Sequence, residues 1–297
     1  MSEKAKGLIV NLILYIAAFA AGAVPFALID NIFLASALFT VVATLVIFIV
    51  TCFYPDTSLY DPYWSVAPPV ILLAAMIKYR LFSVNAWLML AFVLIWAVRL
   101  TGNWFITYKG LGHEDWRYAM YRAKCSKFVF GLINFFGLQY VPTIVVYAGL
   151  VGALFVIRTQ GFNPLIFIGL AVMLTGVAFE FFADTSIHRF LRENAGKRKT
   201  CGISIWKYSR HPNYLGEMTF WTGIFIAFVL LRPDIWYYGL GFLLIIALFL
   251  SVSIPMMEKH NLERRPDYAE YKKKTSPLLL LPPKKNKGLE KISYGKA

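Results

Sequence analysis

Ser209-Arg210-His211-Pro212-Asn213-Tyr214-Leu215-Gly216-Glu217 is a polar turn that runs without a break into the apolar stretch Met218-Thr219-Phe220-Trp221-Thr222-Gly223-Ile224. A residue before proline is pushed towards extended backbone, and proline suits the first helical position, so a helix is predicted to start at Pro212. Its free N–H groups and positive dipole end then aim back at the turn, a natural seat for an anion. A plain helix cap with interfacial charges reads the same residues without a ligand. The setting decides the fold, because a cation, an imidazole, an amide and a carboxylate stand where the chain re-enters a membrane.

That the chain lives in a membrane follows from its makeup. It is 59% hydrophobic and 17% aromatic, with a mean hydropathy of +0.60, outside the range of ordinary soluble domains. Eight runs approach the roughly 20 residues a crossing helix needs: 8–28, 32–54, 64–80, 84–101, 139–158, 163–183, 216–231 and 235–254. The third and seventh are short, and the third carries Pro68-Pro69 near its start, so a tilted, broken or partly re-entrant segment is expected there. The first run follows Lys4 and Lys6 but is too long for the core of a secretion signal, and it is read as a helix. The expected fold is therefore an all-α, polytopic integral membrane bundle of about eight transmembrane helices, with seven as the alternative count.

A net charge of +14 would suggest nucleic acid in a soluble chain. Here all but four of the 30 Lys and Arg residues fall in segments that eight spans place on one side, and the four are Lys78, Arg80, Arg158 and Arg232. The positive-inside rule then puts both termini in the cytoplasm, and the basic surplus is assigned to orientation and lipid contact, with no nucleic-acid partner. Three cysteines, Cys52, Cys125 and Cys201, make no paired framework and are expected as free thiols. No Cys/His spacing resembles a zinc site, and there is no Gly-rich phosphate loop.

The first 55 residues read as two packing helices. A proline-punctuated loop follows, Tyr54-Pro55-Asp56-Thr57-Ser58-Leu59-Tyr60-Asp61-Pro62-Tyr63-Trp64-Ser65, whose acids run against the positive-inside trend. Residues 101–138 mix rings with charges and are expected as interfacial helices or a lid, not as a crossing segment. Within the sixth span Glu180, Asp184 and His188 recur at every fourth position, so they share one face leading out of the bilayer. Ionisable groups at such depth usually line a cavity or pathway, although Asp184 and His188 also suit a structural i, i+4 pair. Asn194-Ala195-Gly196 should end that helix. Beyond the last span, Arg264-Arg265-Pro266-Asp267-Tyr268-Ala269-Glu270-Tyr271 mixes acids and tyrosines with bases, as a folded cap would, and residues 286–297 read as a disordered basic tail.

Asn213-Tyr214-Leu215-Gly216-Glu217, with Asp184 before it and Asp267-Tyr268, Tyr271 and Thr275-Ser276-Pro277 after it, resembles the C-terminal domain of the steroid 5α-reductase family. Thr101-Gly102-Asn103-Trp104 and Glu114-Asp115-Trp116-Arg117-Tyr118 resemble its bacterial branch, and the resemblance covers roughly residues 55–285, with the reductase-like domain placed at 56–285. It implies a multi-pass protein of the bacterial inner membrane that takes NADPH from the cytosol and reduces a carbon–carbon double bond conjugated to a ketone in a lipid. By position, Asp184, Asn213 and Glu217 would hold the nicotinamide and ribose, with Tyr208, Tyr214, His211 and Tyr268 around them. Asn103, Arg117, Arg192 and Arg210 would stand near the phosphates. The family's substrate-side acidic pair has Asp61 as its nearest equivalent. A tyrosine expected three residues before Arg99 is Trp96 here, and indole supplies no proton to the developing oxyanion. Tyr63, or a water held by Asp61, is left to take that role.

Two rivals stand beside this reading. Isoprenylcysteine carboxyl methyltransferases carry a similar Arg-His-Pro-x-Tyr-x-Gly element and bind S-adenosylmethionine, but they resemble this chain less where they have adjacent glutamates and it has Glu258-Lys259. A non-catalytic scaffold or a transporter is the other class; no internal repeat of the kind transporters show is visible. The lipid, the choice between NADPH and NADH and the oligomeric state are open.

Overall fold

The computed structural model describes residues 1–54 and 56–284; the basic tail expected at 286–297 lies outside them. Among the described residues there is no β-strand, only an isolated parallel bridge between Ser209 and Ser276. Seven helical runs among the described residues are long and apolar enough to cross a membrane, so the chain is an all-α, polytopic membrane protein. It divides into two units, Met1–Ala171 with Trp221–Ile245, and Val172–Phe220 with Ile246 onward.

The first unit opens with the hairpin α1 (Glu3–Leu28) and α2 (Ile32–Phe53). Asn31 caps α2 by accepting from Phe33 N and Leu34 N, both at 3.0 Å, the usual task of an N-cap amide. Next, α3 (Tyr63–Tyr79) is continuous through Pro68-Pro69 and is 17 residues long, at the low end of what spans a bilayer. It packs on α4 (Val84–Thr107) and on α7 (Val141–Ile157). Leu72, Met76, Trp96 and Leu154 are fully buried or nearly so, while Leu28, Ile77 and Val98 are exposed, as lipid-facing residues should be.

Within residues 101–138, the last dozen depart from expectation. After α4 ends at Thr107, the short α5 (Trp116–Lys124) follows, and α6 (Lys127–Leu132) then joins a π-helical stretch, Ile133–Tyr140, that runs straight into α7. The whole run Lys127–Ile157 is one of the seven crossing candidates, so this span starts a dozen residues before its expected boundary. Its amides are tolerated because they are paired: Gln139 Nε2 donates to Thr51 Oγ1 (3.1 Å) and to Asn134 Oδ1 (3.0 Å). Polar side chains inside apolar helices are held by such contacts.

At the start of the unit, Lys4 Nζ donates to Phe105 O, and Gly110, at φ +113°, lies against the backbone of Glu3 and Lys4. A Cβ at Gly110 would stand 2.8 Å from the Glu3 carbonyl carbon, and the positive φ alone favours glycine. The beginning of α1 and the end of α4 therefore share one end of the unit, and the α1–α2 turn lies at the other.

In the second unit the greater part of α8 (Ile166–Glu193) meets the opening turns of α9 (Pro212–Leu231). The predicted helix start at Pro212 is met, and α8 ends short of Gly196, whose φ is +75°. The helices cross through glycines: Cβ atoms built on Gly176 and Gly216 would come within 2.6 Å of Gly216 O and 2.7 Å of Gly176 O. After α10 (Phe242–Leu248) a second π-helical turn, Phe249–Ser253, leads to α11 (Ile254–Arg264) and α12 (Tyr268–Lys274). The tail is a folded cap, because Arg210 N donates to Ser276 O (2.9 Å) and Ser209 Oγ to Leu278 O (2.6 Å).

Candidate functional site

In the first unit the chemistry gathers on the turn Thr57–Tyr60 that leads to Asp61. A four-residue turn has too few internal hydrogen bonds to hold itself, and here the segment 112–122 holds it. Gly112 N donates to Asp56 Oδ2 (3.0 Å), Asp115 N to Ser58 Oγ (2.8 Å) and Thr57 N to Glu114 Oε1 (3.0 Å). Arg122 grips Glu114 with two bonds, Nη2 to Oε1 at 2.6 Å and Nε to Oε2 at 2.9 Å, the planar fork that arginine offers a carboxylate. Burial works to raise the Glu114 carboxyl, but Arg122 and Thr57 outweigh it and hold it below the usual range. From the helical side, Tyr15 OH donates to Leu59 O (3.1 Å), and Tyr60 OH donates to Gln139 O (2.8 Å). α1 thus does more than pack, since its Tyr15 anchors this turn.

The fixed turn presents Asp61 to Tyr118, whose hydroxyl donates to Oδ1 at 2.6 Å. Burial pushes the Asp61 carboxyl up to about 7, against the pull of the Arg117 guanidinium and of the Tyr118 hydroxyl. Tyr118, 3% exposed, is itself raised by burial and by Asp61. Arg117 lies over the Tyr118 ring and donates from Nε to Asp115 Oδ1 (2.8 Å). An acid poised near neutrality beside a buried phenol is a proton-donating pair in form.

Tyr63, the other expected acid, is 2% exposed, is stacked on Tyr60 and donates to Thr40 O at 3.2 Å. Its proton is engaged inside the helix packing. Trp96 is buried edge-on against Trp221, and Asn103 is half-buried on α4. Five residues beyond Asp61 begins a groove of about 510 Å³ between α3 and α4, lined by Val66, Pro69, Leu73, Leu90, Leu94 and Phe105. Its walls are almost wholly apolar, as a lipid chain requires.

In the second unit Arg210 is buried and committed to the tail. It donates from Nε to Glu258 Oε1 (2.7 Å), and from Nη1 to the carbonyls of Lys272 and Thr275. Lys272 Nζ meets the other Glu258 oxygen at 2.6 Å. His211 stacks on Tyr214 with ring centroids 5.3 Å apart, and its Nε2 lies 3.6 Å from Glu258 Oε1. Tyr268 is 2% exposed, with its hydroxyl held above its usual range first by burial and then by Glu258. Asn213 and Glu217, four apart on the first turns of α9, are half-buried, as are Asp184 and His188. Glu180, on the same face of α8, is fully buried. The exposed cations of this unit include Arg192, Lys197, Arg198 and Lys199, and Tyr208 is exposed as well.

Sequence reasoning missed the roles of Glu114, Arg122 and Tyr118. Fifty-seven residues separate Tyr118 from Asp61, and no local pattern signals such a pair; the one available hint was the density of charge and rings in Glu114–Tyr118. Among the described residues no group of His, Cys, Asp and Glu is arranged to hold a metal ion.

Residues 47–275 match the family described as protein of unknown function (DUF1295). The chain belongs to the DUF1295 family. No curated protein and no solved structure matches it. The DUF1295 stretch takes in every candidate residue from Asp61 to Tyr268 and begins inside α2, leaving α1 outside.

Proposed function

We propose that this DUF1295 protein is a membrane-embedded reductase that uses NADPH to saturate a carbon–carbon double bond conjugated to a carbonyl in a lipid. The observation that carries this reading is the Asp61–Tyr118 pair, a protonatable carboxyl at about 7 with a phenol 2.6 Å away, five residues before the first residue that lines an apolar groove. When bound, NADPH would supply the hydride that the β-carbon of an enone needs. Electron density moves to the carbonyl oxygen, and the Asp61–Tyr118 pair places a proton there, where charge develops. The α-carbon then takes up a proton from water, and the oxygen returns its own proton to the Asp61–Tyr118 pair as the saturated ketone forms. The groove of α3 and α4 holds the hydrocarbon body and excludes water from the reacting end.

The second unit suits a dinucleotide. Asn213 and Glu217 offer an amide and a carboxylate at the start of a 20-residue helix, the pairing that a carboxamide and a ribose need. Arg192 and Lys197-Arg198-Lys199 supply exposed positive charge for phosphates. Arg210, enclosed by Glu258, acts in this scheme by holding the turn against the tail. The matching active-site side is the cytoplasm, with both termini there and the chain in a bacterial inner membrane.

The same Arg210-His211-Pro212 turn supports a methyltransferase reading with S-adenosylmethionine. Thermal unfolding of the purified protein with NADPH, NADH and S-adenosylmethionine separates the two, because a ligand specific to the folded state raises its melting temperature. Stabilisation by NADPH, followed by its oxidation when lipid enones are added, is the expected result. Stabilisation by S-adenosylmethionine alone overturns the reductase.

A further inference from the structure

At the end of the first unit remote from Asp61 lies a second cavity, of about 370 Å³, lined by Asp30, Asn31, Phe33, Tyr79, Leu81 and Arg158. It is built where the α1–α2 turn, the end of α3 and the end of α7 converge. Tyr79 OH donates to Ile29 O (3.1 Å), and Tyr147 OH to Phe33 O (2.6 Å), so the walls are pinned. One acid and one guanidinium are the charged side chains of the lining. Arg158 lies over the Phe33 ring, 5.4 Å from its centroid, and among the described residues it has no carboxylate partner. Asp30 is fully exposed and touches Lys78 through Oδ1 alone, at 3.7 Å, an exposed pair of little energetic weight.

We propose that this cavity seats the headgroup of a phosphatidylethanolamine. A headgroup that carries one phosphodiester and one primary ammonium matches a lining with one guanidinium and one carboxylate. Arg158 offers the forked donors that suit phosphate oxygens, and the free Oδ2 of Asp30 accepts from the ammonium. A choline headgroup has no N–H to donate, and a glycerol headgroup has no cation for Asp30. The occupant is a lipid because the cavity opens at the ends of crossing helices, where exposed Leu28, Leu34 and Ile77 offer a surface for acyl chains. Neither charged residue takes part in the proposed reduction.

The test is lipid retention by the purified full-length protein, read by native mass spectrometry after exchange into mixed micelles of phosphatidylethanolamine, phosphatidylglycerol and phosphatidylcholine with identical chains. The expected result is severalfold retention of phosphatidylethanolamine over both others. Arg158→Ala should abolish that excess, and Asp30→Asn should reduce phosphatidylethanolamine to the level of phosphatidylcholine. Arg232→Ala, at another exposed arginine, should leave it unchanged. Both site residues are exposed, so these variants should fold, and unchanged melting temperatures check this. Equal retention of the three lipids, or an excess that survives Arg158→Ala and Asp30→Asn, overturns the proposal. Displacement of the lipid by equimolar soluble glycerophosphoethanolamine overturns the assignment to a membrane lipid.

Discussion

Asp61 holds its proton below about pH 7 and loses it above, so a reduction that depends on that proton should slow as pH rises through 7. Asp61→Asn should abolish turnover while leaving stabilisation by NADPH intact, which separate activity and melting measurements will show. Tyr118 donates to the ionised form of Asp61 and so lowers its pKa. Tyr118→Phe should therefore move the falling limb of the pH–rate profile to higher pH as well as lower the acidic plateau; an unmoved limb would count against the pair. Stability carries the opposite sign to the usual carboxylate. A folded pKa above the unfolded value of about 3.9 means that the ionised form disfavours the fold. That penalty is absent below about pH 4, grows between 4 and 7, and is full above 7. Asp61→Asn should accordingly gain melting temperature over the parent at pH 8 and gain none at pH 4. From the sequence, Asp61 stood out as an acid in a loop facing a basic side, whereas its phenol partner depends on a fold that brings residues far apart in the chain together.

At the scale of elements, two glycines set how α8 meets α9. Gly216→Val would press a branched side chain onto Glu180 and the Gly176 carbonyl, and overpacking of this kind costs about 1–3 kcal/mol. Urea or thermal unfolding in detergent should show that loss, with NADPH stabilisation lowered in parallel, because Asn213 and Glu217 ride on the same turns of α9. Glu258 is the corresponding polar device. It faces Arg210 at 2.6 Å, Lys272 at 2.6 Å and His211 at 3.6 Å, and Arg210 is only 8% exposed. Glu258→Gln leaves a buried guanidinium without its counter-charge, a change that costs about 3–5 kcal/mol. Detergent-purified Glu258→Gln should melt well below the parent. The helix start at Pro212, the stop near Gly196 and the face shared by Glu180, Asp184 and His188 were all readable, since each rests on short-range rules of backbone and periodicity. The Glu258 hub was not, because charge alone does not say which of many lysines and arginines will close on one carboxylate.

At the scale of the whole molecule, hydropathy made the all-α membrane class plain, and the segment 127–138 escaped it. There Lys127 and Asn134 lower the apolar average, and the pairing of Asn134 with Gln139 and Thr51 cannot be read from a running mean. Sidedness is open to a direct check. Single cysteines placed at Ser2 and Ser126, in a chain with its own three replaced, should react with a membrane-impermeant maleimide from the cytoplasmic face of vesicles, and one placed at Asn31 from the opposite face.

The π-helical stretch between α6 and α7 has a bearing on how chains of this family can be compared and recombined. A π turn holds an additional residue relative to an α turn, so Ile133–Tyr140 acts as a phase shift within one rod. Adding or removing one residue in the α-helical turns beside it would rotate everything upstream by about 100° relative to α7. Asn134 would then turn away from Thr51, and the chain leading back to Tyr118 would enter on a different bearing. Substitutions in this stretch should be borne far better than single-residue insertions or deletions, so its residue count, more than its letters, is what a chimera must preserve.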